Sequence, residues 1–355
     1  MKIVFTGGGT LGPVTPLLAT AKAIQKTAPQ AEFIWYGTPN GPEQFVVKEA
    51  GIPFRAISVA KIPRYFSFRL FRFPFDYARA RMQAEKFLRE DQPDLIVSAG
   101  GFTAVPVMRA GFSRHIPCAI HQLDKVPGLS NKMVAKICTL VTTSFPYQTP
   151  PFGADVKTLA IATPTRFSAK EISTREDAAK AFALHPKKPI ILLVGGGTGA
   201  QALNEAMWKH LESLLKTTQI IHVTGKGKGN DARMEGYVQR DLLDAADMLQ
   251  AYGAADIVLS RAGMGAISEL SALKKPTILI PIPRSHQEVN AKTLAETRAC
   301  ILLDQSDVDF SDLLLKTIQD LLVDEEARTK MGERFHAIFP TDDGTQLARQ
   351  LLKLV

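Results

Sequence analysis

The stretch Ile191-Leu192-Leu193-Val194-Gly195-Gly196-Gly197-Thr198-Gly199 decides the fold: four apolar residues run straight into a glycine-rich turn. An earlier copy reads Ile3-Val4-Phe5-Thr6-Gly7-Gly8-Gly9-Thr10. Glycine lets the backbone turn tightly and approach another group closely. A helix that starts after such a turn offers unpaired N–H groups and a positive dipole end, which suit phosphate. Two copies almost two hundred residues apart point to two Rossmann-like halves.

Outward from the first turn, apolar runs at 2–6, 32–36, 94–98, 117–120 and 140–144 alternate with helical patterns at 16–27, 42–50, 75–90 and 130–137. Such alternation predicts a parallel sheet covered on both faces. A proline-rich stretch from Pro146 through Pro151 to Pro164 reads as a linker. The pattern restarts at Pro189, with strands expected at 190–194, 219–223, 256–259 and 277–280 and helices at 200–215, 264–272 and 287–297. The segments 311–323, 325–335 and 343–354 read as helices. The expected domains are 1–163 and 164–342, with 343–355 returning to the first.

A chain of 355 residues is long enough for two cores. No run of eighteen apolar residues predicts a spanning helix. The strand pattern already begins at Lys2, so no secretory leader is expected. Cys118, Cys138 and Cys300 lack metal or redox spacing and read as reduced, buried thiols. The net charge of +8 is uneven: Arg55 to Arg89 holds nine Lys or Arg against Asp76 and Glu85. A local excess of that size implies an anionic partner.

Gly7-Gly8-Gly9-Thr10-Leu11-Gly12 satisfies G-x-G-x-x-G after a strand, but a dinucleotide site also needs an acid at the end of the second strand. Here that strand ends Trp35-Tyr36-Gly37-Thr38, and its counterpart in the second half ends Val223-Thr224-Gly225. Hydride transfer is therefore disfavoured. Asp307-Val308-Asp309 has the D-x-D form of a metal site, yet it precedes a helix where acids suit the dipole. No metal and no cofactor are expected.

Arg64-Tyr65-Phe66-Ser67-Phe68-Arg69-Leu70-Phe71-Arg72-Phe73-Pro74-Phe75 holds six aromatics and three arginines. Pro74 argues against one continuous helix. Aromatics interleaved with arginines suit an interfacial anchor on anionic lipid, with Phe66, Phe68, Arg69, Phe71, Arg72 and Phe75 as its contacts. A buried amphipathic segment with snorkelling arginines is the other reading. No nucleic-acid motif accompanies the charge.

Several stretches, taken in order, resemble the MurG family. They are Gly8-Gly9-Thr10 through Pro16; Gly100-Gly101-Phe102; His121-Gln122-Leu123-Asp124 with Gly128-Leu129-Ser130-Asn131-Lys132; Pro164-Thr165-Arg166; Gly195 to Asn204; Arg261-Ala262-Gly263 through Glu269; and His286-Gln287 with Asn290-Ala291. The resemblance implies an α/β GT-B fold, two Rossmann-like parallel-sheet domains facing across a cleft. It implies inverting transfer of N-acetylglucosamine from UDP-N-acetylglucosamine to a polyprenyl-diphosphate muramyl pentapeptide. It also implies a peripheral protein on the cytoplasmic face of the inner membrane, docked through its first domain on an anionic surface.

The resemblance further implies donor contacts from Thr10, Leu11, Gly12 and Asp124 in the first half, and from Arg166 after the linker. In the second half it implies Gly197 and Thr198 at the diphosphate and a backbone group of Ala245 at uracil. It places Arg261, Gly263, Met264 and Glu269 around the ribose, with Gln287 and Asn290 at the sugar hydroxyls. Glu269 also reads as a solvated helix acid, and Asn290 as a local cap. The family carries a histidine where Pro13 stands here, a glycine where Leu11 stands, and His-Glu-Gln-Asn in place of His121-Gln122-Leu123-Asp124. A base must take the proton of the attacking hydroxyl. Asp124 is the first candidate and His121 the second, though His121 also reads as a core histidine. A related transferase acting on another lipid, an epimerase of UDP-N-acetylglucosamine and a non-catalytic UDP-sugar-binding protein are the alternatives.

Overall fold

The structure is a computed structural model that describes residues 1–59, 69–196 and 200–355, with the backbone alone for 69–72. The chain divides into unit 1, Met1–Arg166 with Thr341–Val355, and unit 2, Phe167–Pro340.

Unit 1 runs β1 (Lys2–Thr6), α1 (Thr15–Thr27), β2 (Glu32–Gly37), α2 (Glu43–Glu49), β3 (Phe54–Ala56), α3 (Arg69–Asp91), β4 (Leu95–Ser98), α4 (Ala104–Ser113), β5 (Cys118–Gln122), α5 (Leu129–Val134), β6 (Leu140–Thr143), β7 (Leu159–Ala160) and β8 (Thr163–Pro164). Unit 2 follows with α6 (Arg175–Ala181), β9 (Ile190–Val194), α7 (Gln201–Lys209), α8 (Leu211–Leu215), β10 (Gln219–Val223), β11 (Tyr237–Arg240), α9 (Ala245–Ala254), β12 (Ile257–Ser260), α10 (Met264–Ala272), β13 (Thr277–Leu279), α11 (His286–Ala295), β14 (Ile301–Leu302), α12 (Phe310–Val323) and α13 (Glu325–Ile338). The chain then returns to unit 1 as β15 (Thr341–Asp342) and α14 (Thr345–Leu351).

Both main sheets are parallel. Unit 1 has the order β3-β2-β1-β4-β5-β6-β7 and unit 2 the order β11-β10-β9-β12-β13-β14. Each sheet therefore reverses direction of growth beside its first strand, between β1 and β4 and between β9 and β12. Ligands of open α/β sheets bind outside the strand C-termini at that switch point. The apolar runs are continuous because helices cover both faces. Ile190 to Leu193 are all buried in unit 2, as are Leu95 to Val97 in unit 1.

The return of the last helix needs a glycine. Gly344 has φ +92°, and a Cβ there would lie 2.7 Å from the Thr20 backbone of α1. A Lys26–Asp343 ion pair at 3.3 Å and a bond from Ala162 N–H to Gln346 Oε1 at 3.1 Å tie the same region.

Two expectations need correction. The helix predicted over 200–215 is two pieces, α7 and α8, divided at His210. The helix predicted over 75–90 starts at Arg69 and passes through Pro74 without interruption. Pro74 lies inside α3, where it has no N–H to donate to the carbonyl of Leu70.

Candidate functional site

In unit 1 the first glycine turn is packed against the chain itself. Trp35 Nε1–H donates to Gly7 O at 3.0 Å, and Gly7 N–H donates to Tyr36 O at 3.3 Å. A Cβ on Gly9 would lie 2.7 Å from the Phe102 ring, and one on Gly101 2.8 Å from Gly8 N. The buried Glu43 side chain, from the first residue of α2, closes the turn from the other side. Its Oε2 accepts from Gly9 N–H at 3.1 Å, and its Oε1 accepts from Thr38 N–H at 2.8 Å and from the Thr38 hydroxyl. The end of β2 itself carries no acid, as read from Gly37-Thr38, and the acid that follows it in α2 faces inward. Thr10 and Leu11, just past the clamped glycines, are exposed.

The exit of β5 is a second feature at this end of the sheet. His121 has no exposed surface; its Nδ1 meets the Thr142 hydroxyl at 2.9 Å and its Nε2 the Ser144 hydroxyl at 3.1 Å. Burial pushes its pKa down to about 3. A base must reach the hydroxyl it serves, so this geometry makes His121 a neutral core residue rather than the base.

Asp124 is only half-buried. Its loop is held by Gln122, whose Nε2–H donates to Asp124 O at 2.8 Å and whose Oε1 accepts from Asn131 Nδ2–H at 2.7 Å. The Tyr147 hydroxyl lies 3.1 Å from Asp124 O and 2.8 Å from Lys125 O. Burial, and then the charge of Asp124, raise the pKa of Tyr147, so it serves as a donor. These contacts fix a carboxylate-bearing loop at the exit of the strand.

Unit 2 presents its glycine turn differently. Gly196 has φ +80°, and no described atom lies within 4 Å of where its Cβ would be. Gly197 and Thr198 lie outside the described residues. Behind the turn, buried Asn204 of α7 donates from Nδ2 to Thr224 O at 3.0 Å and Lys228 O at 3.3 Å. Its Oδ1 faces His222 Nε2 at 3.0 Å, while Tyr237 OH faces Nδ1 at 2.8 Å. This network, which the sequence did not reveal, fixes α7 to the loop after β10.

Across the switch point, Gly263 caps α10 and Met264 is its first residue. Glu269 is 7% exposed and accepts from the Tyr252 hydroxyl at 3.1 Å, which overturns the solvated-acid alternative. Arg261 is 8% exposed, and its Nη1 donates to Ile280 O at 2.9 Å and Pro281 O at 3.1 Å. Burial lowers its pKa. The guanidinium therefore braces the exits of β12 and β13 together. Gln287 Nε2 lies 3.6 Å from a Cβ built on Gly263, so the start of α11 adjoins the start of α10. Asn290 is wholly buried within α11 and presents no surface to a sugar. Ala245 is the exposed first residue of α9, and Arg166 is exposed at the end of the first segment of unit 1.

Of the lipid-contact residues, Phe66 and Phe68 lie outside the described residues, and Arg69, Phe71 and Arg72 are placed by backbone only. Phe75 is 78% and Met82 63% exposed. With the exposed Arg79, Lys86 and Arg89 they recur at helical spacing along one stripe of α3, opposite buried Ala80, Ala84 and Leu88. No described helix is long and apolar enough to cross a membrane. Among the described residues, no three His, Cys, Asp or Glu side chains are grouped to hold a metal ion.

Residues 3–143 match the glycosyltransferase family 28 N-terminal domain and residues 190–347 its C-terminal domain. The UDP-N-acetylglucosamine--N-acetylmuramyl-(pentapeptide) pyrophosphoryl-undecaprenol N-acetylglucosamine transferase of Lachnospira eligens is 37% identical over 91% of this chain and 91% of its own. The protein of the same name from Nocardioides sp. is 34% identical over 100% of this chain and 98% of its own. The crystal structure of Acinetobacter baumannii MurG matches with a TM-score of 0.77 at 25% identity, over 99% of both chains. Paired parallel sheets, two domain matches in order and relatives similar along nearly the full length agree: the chain belongs to the MurG family of GT-B glycosyltransferases.

Proposed function

We propose that this chain transfers N-acetylglucosamine from UDP-N-acetylglucosamine to the undecaprenyl-pyrophosphoryl N-acetylmuramyl pentapeptide, with inversion at the anomeric carbon. The observation that carries the donor half is the open turn at Gly196, beside the brace and buried acid of Arg261 and Glu269. Backbone N–H groups of Gly197 and Gly199, with the Thr198 hydroxyl, hold the diphosphate where the helix dipole favours it. Arg166 adds a charge-assisted contact to phosphate. Glu269 accepts from the ribose hydroxyls, the backbone of Gly263 and Met264 lies along the nucleoside, and the backbone at Ala245 meets uracil. Gln287 takes sugar hydroxyls, and Thr10, Leu11 and Gly12 line the sugar from unit 1. Backbone donors and arginine stabilise the charge that develops on the leaving UDP.

Asp124 acts as the general base. As it removes the proton from the acceptor hydroxyl, that oxygen bonds to the anomeric carbon and the bond to the UDP oxygen breaks. The stripe of Phe75, Arg79, Met82, Lys86 and Arg89 docks the protein on the anionic cytoplasmic leaflet, where the lipid acceptor resides. The deciding experiment supplies labelled UDP-N-acetylglucosamine and the muramyl-pentapeptide lipid to purified protein. Labelled disaccharide lipid supports the assignment. UDP release with no labelled lipid would refute it and favour an epimerase. Sedimentation with anionic vesicles, reduced by a Phe75→Ser/Met82→Ser double variant, tests the docking stripe.

A further inference from the structure

A carboxylate sits where the first glycine turn would otherwise present its backbone to a phosphate. Glu43 is fully buried, and its two oxygens are divided between two partners: Oε2 on Gly9 N–H, Oε1 on Thr38. A Cβ at Gly8 would overlap Oε1, so the carboxylate and the glycine backbone are in direct contact. A phosphate entering the same turn would lose the Gly9 N–H and meet a like charge at short range in a poorly screened setting.

We propose that Glu43 is a positioning residue that commits the first turn to an uncharged part of the ligand. It supplies the turn with its own internal anion, and it sets the backbone of Thr10, Leu11 and Gly12 by holding the Gly9 N–H inward. This rests on the reading that Thr10 to Gly12 line the donor sugar.

The isosteric change Glu43→Gln separates the two jobs of the carboxyl. A glutamine oxygen kept on Thr38 turns its NH2 toward Gly9 N–H, donor against donor, so the bond to the turn is lost while the side chain retains its volume. In this variant UDP alone should bind as in the wild type, because UDP is held by unit 2. Turnover of UDP-N-acetylglucosamine should fall about tenfold or more, since misplacing a positioning element costs rate. Thermal unfolding should stay near the wild-type midpoint. Thr38→Val removes the hydroxyl partner of Oε1 and spares the Gly9 bond, so its turnover should remain close to wild type.

Unchanged turnover in Glu43→Gln would overturn the proposal. So would equal losses in Glu43→Gln and Thr38→Val, which would assign the effect to packing of the β2–α2 loop. Leu11→Ala and Thr10→Ala report on the underlying reading. If neither alters transfer, the turn does not face the sugar; if they do and Glu43→Gln does not, only the role of Glu43 fails.

Discussion

The two glycine turns look alike in sequence and differ in what fills them. Gly7 to Gly9 are enclosed by Glu43, Trp35, Phe102 and the Gly100–Gly101 backbone. Gly196 faces space with no described atom near its missing side chain. A glycine motif after a strand therefore states that backbone must approach something closely, not that the something is a ligand. In unit 1 that partner is the protein, and the half-buried acid Asp124 lies two strands along the sheet, past the exit of β5.

If the working part of unit 1 is the β5 exit, Asp124→Asn should give the largest loss. Asparagine keeps the shape and cannot take a proton, so kcat should fall by roughly a hundred- to ten-thousandfold. UDP binding, measured by calorimetry, should be unaltered. Near-normal turnover would remove Asp124 as base and break the division of labour between the units.

The filled and open turns also predict opposite tolerance to a methyl group. In Gly101→Ala the new Cβ would meet Gly8 N at 2.8 Å and Gly8 O at 2.9 Å, at φ +96°. Backbone cannot yield cheaply, so unit 1 should lose about 3 kcal/mol or more. Gly196→Ala meets no described atom and carries only the left-handed backbone penalty, about 1–2 kcal/mol. Denaturant unfolding of the two variants measures the contrast; equal losses would erase it.

Much of this was legible in the chain. The strands at 2–6, 190–194 and 219–223 coincide with β1, β9 and β10 because a strand buried on both faces is a bare apolar run. Edge strands escaped notice: β3 has three residues and β14 two, too short for any alternation to register. Helix α4 was hidden by Pro106, which is harmless in a first turn. The site was harder. Asp124 and Glu269 were visible as acids past a strand exit and on a helix. Glu43 was not, because its contact with Gly9 spans 34 positions and depends on the β2–α2 loop folding back. The sequence left His121 open between base and core histidine and Asn290 between sugar contact and cap, since exposure is a property of the packed sheet and not of the residue type.

A smaller effect sharpens the account of the open turn. Glu269→Gln would remove the charge that receives ribose hydroxyls and should raise the KM for UDP-N-acetylglucosamine by about tenfold, leaving the acceptor KM alone. Tyr252→Phe removes a partner of the same carboxylate and should raise the donor KM by only about two- to fivefold. If both variants instead moved the acceptor KM, unit 2 would not be the donor half.

The gentlest prediction concerns what the two units share. Each buries one neutral histidine, His121 in β5 and His222 in β10, and burial holds both near pKa 3. In the unfolded chain each titrates near 6.5. Above that value neither state binds the proton and the full stability is present. As pH falls below it, the unfolded chain gains protons that the folded chain refuses, and stability is lost until the pH reaches about 3. Each histidine contributes a slope of about 1.4 kcal/mol per pH unit across that window. Burial explains the refusal, because a charged ring would lose its hydration without gaining a counter-charge. In His222 the Nε2 atom faces Asn204 Oδ1, an oxygen that can only accept, and Nδ1 faces the Tyr237 hydroxyl. For His121 both partners are hydroxyls, which satisfy a neutral ring in either tautomer. Because His121 stays neutral through this range, the pH profile of kcat should contain no limb near 6.5 that vanishes in His121→Asn. Finding such a limb would return His121 to the reaction and move the working base from the loop carboxylate of Asp124 to the buried end of β5.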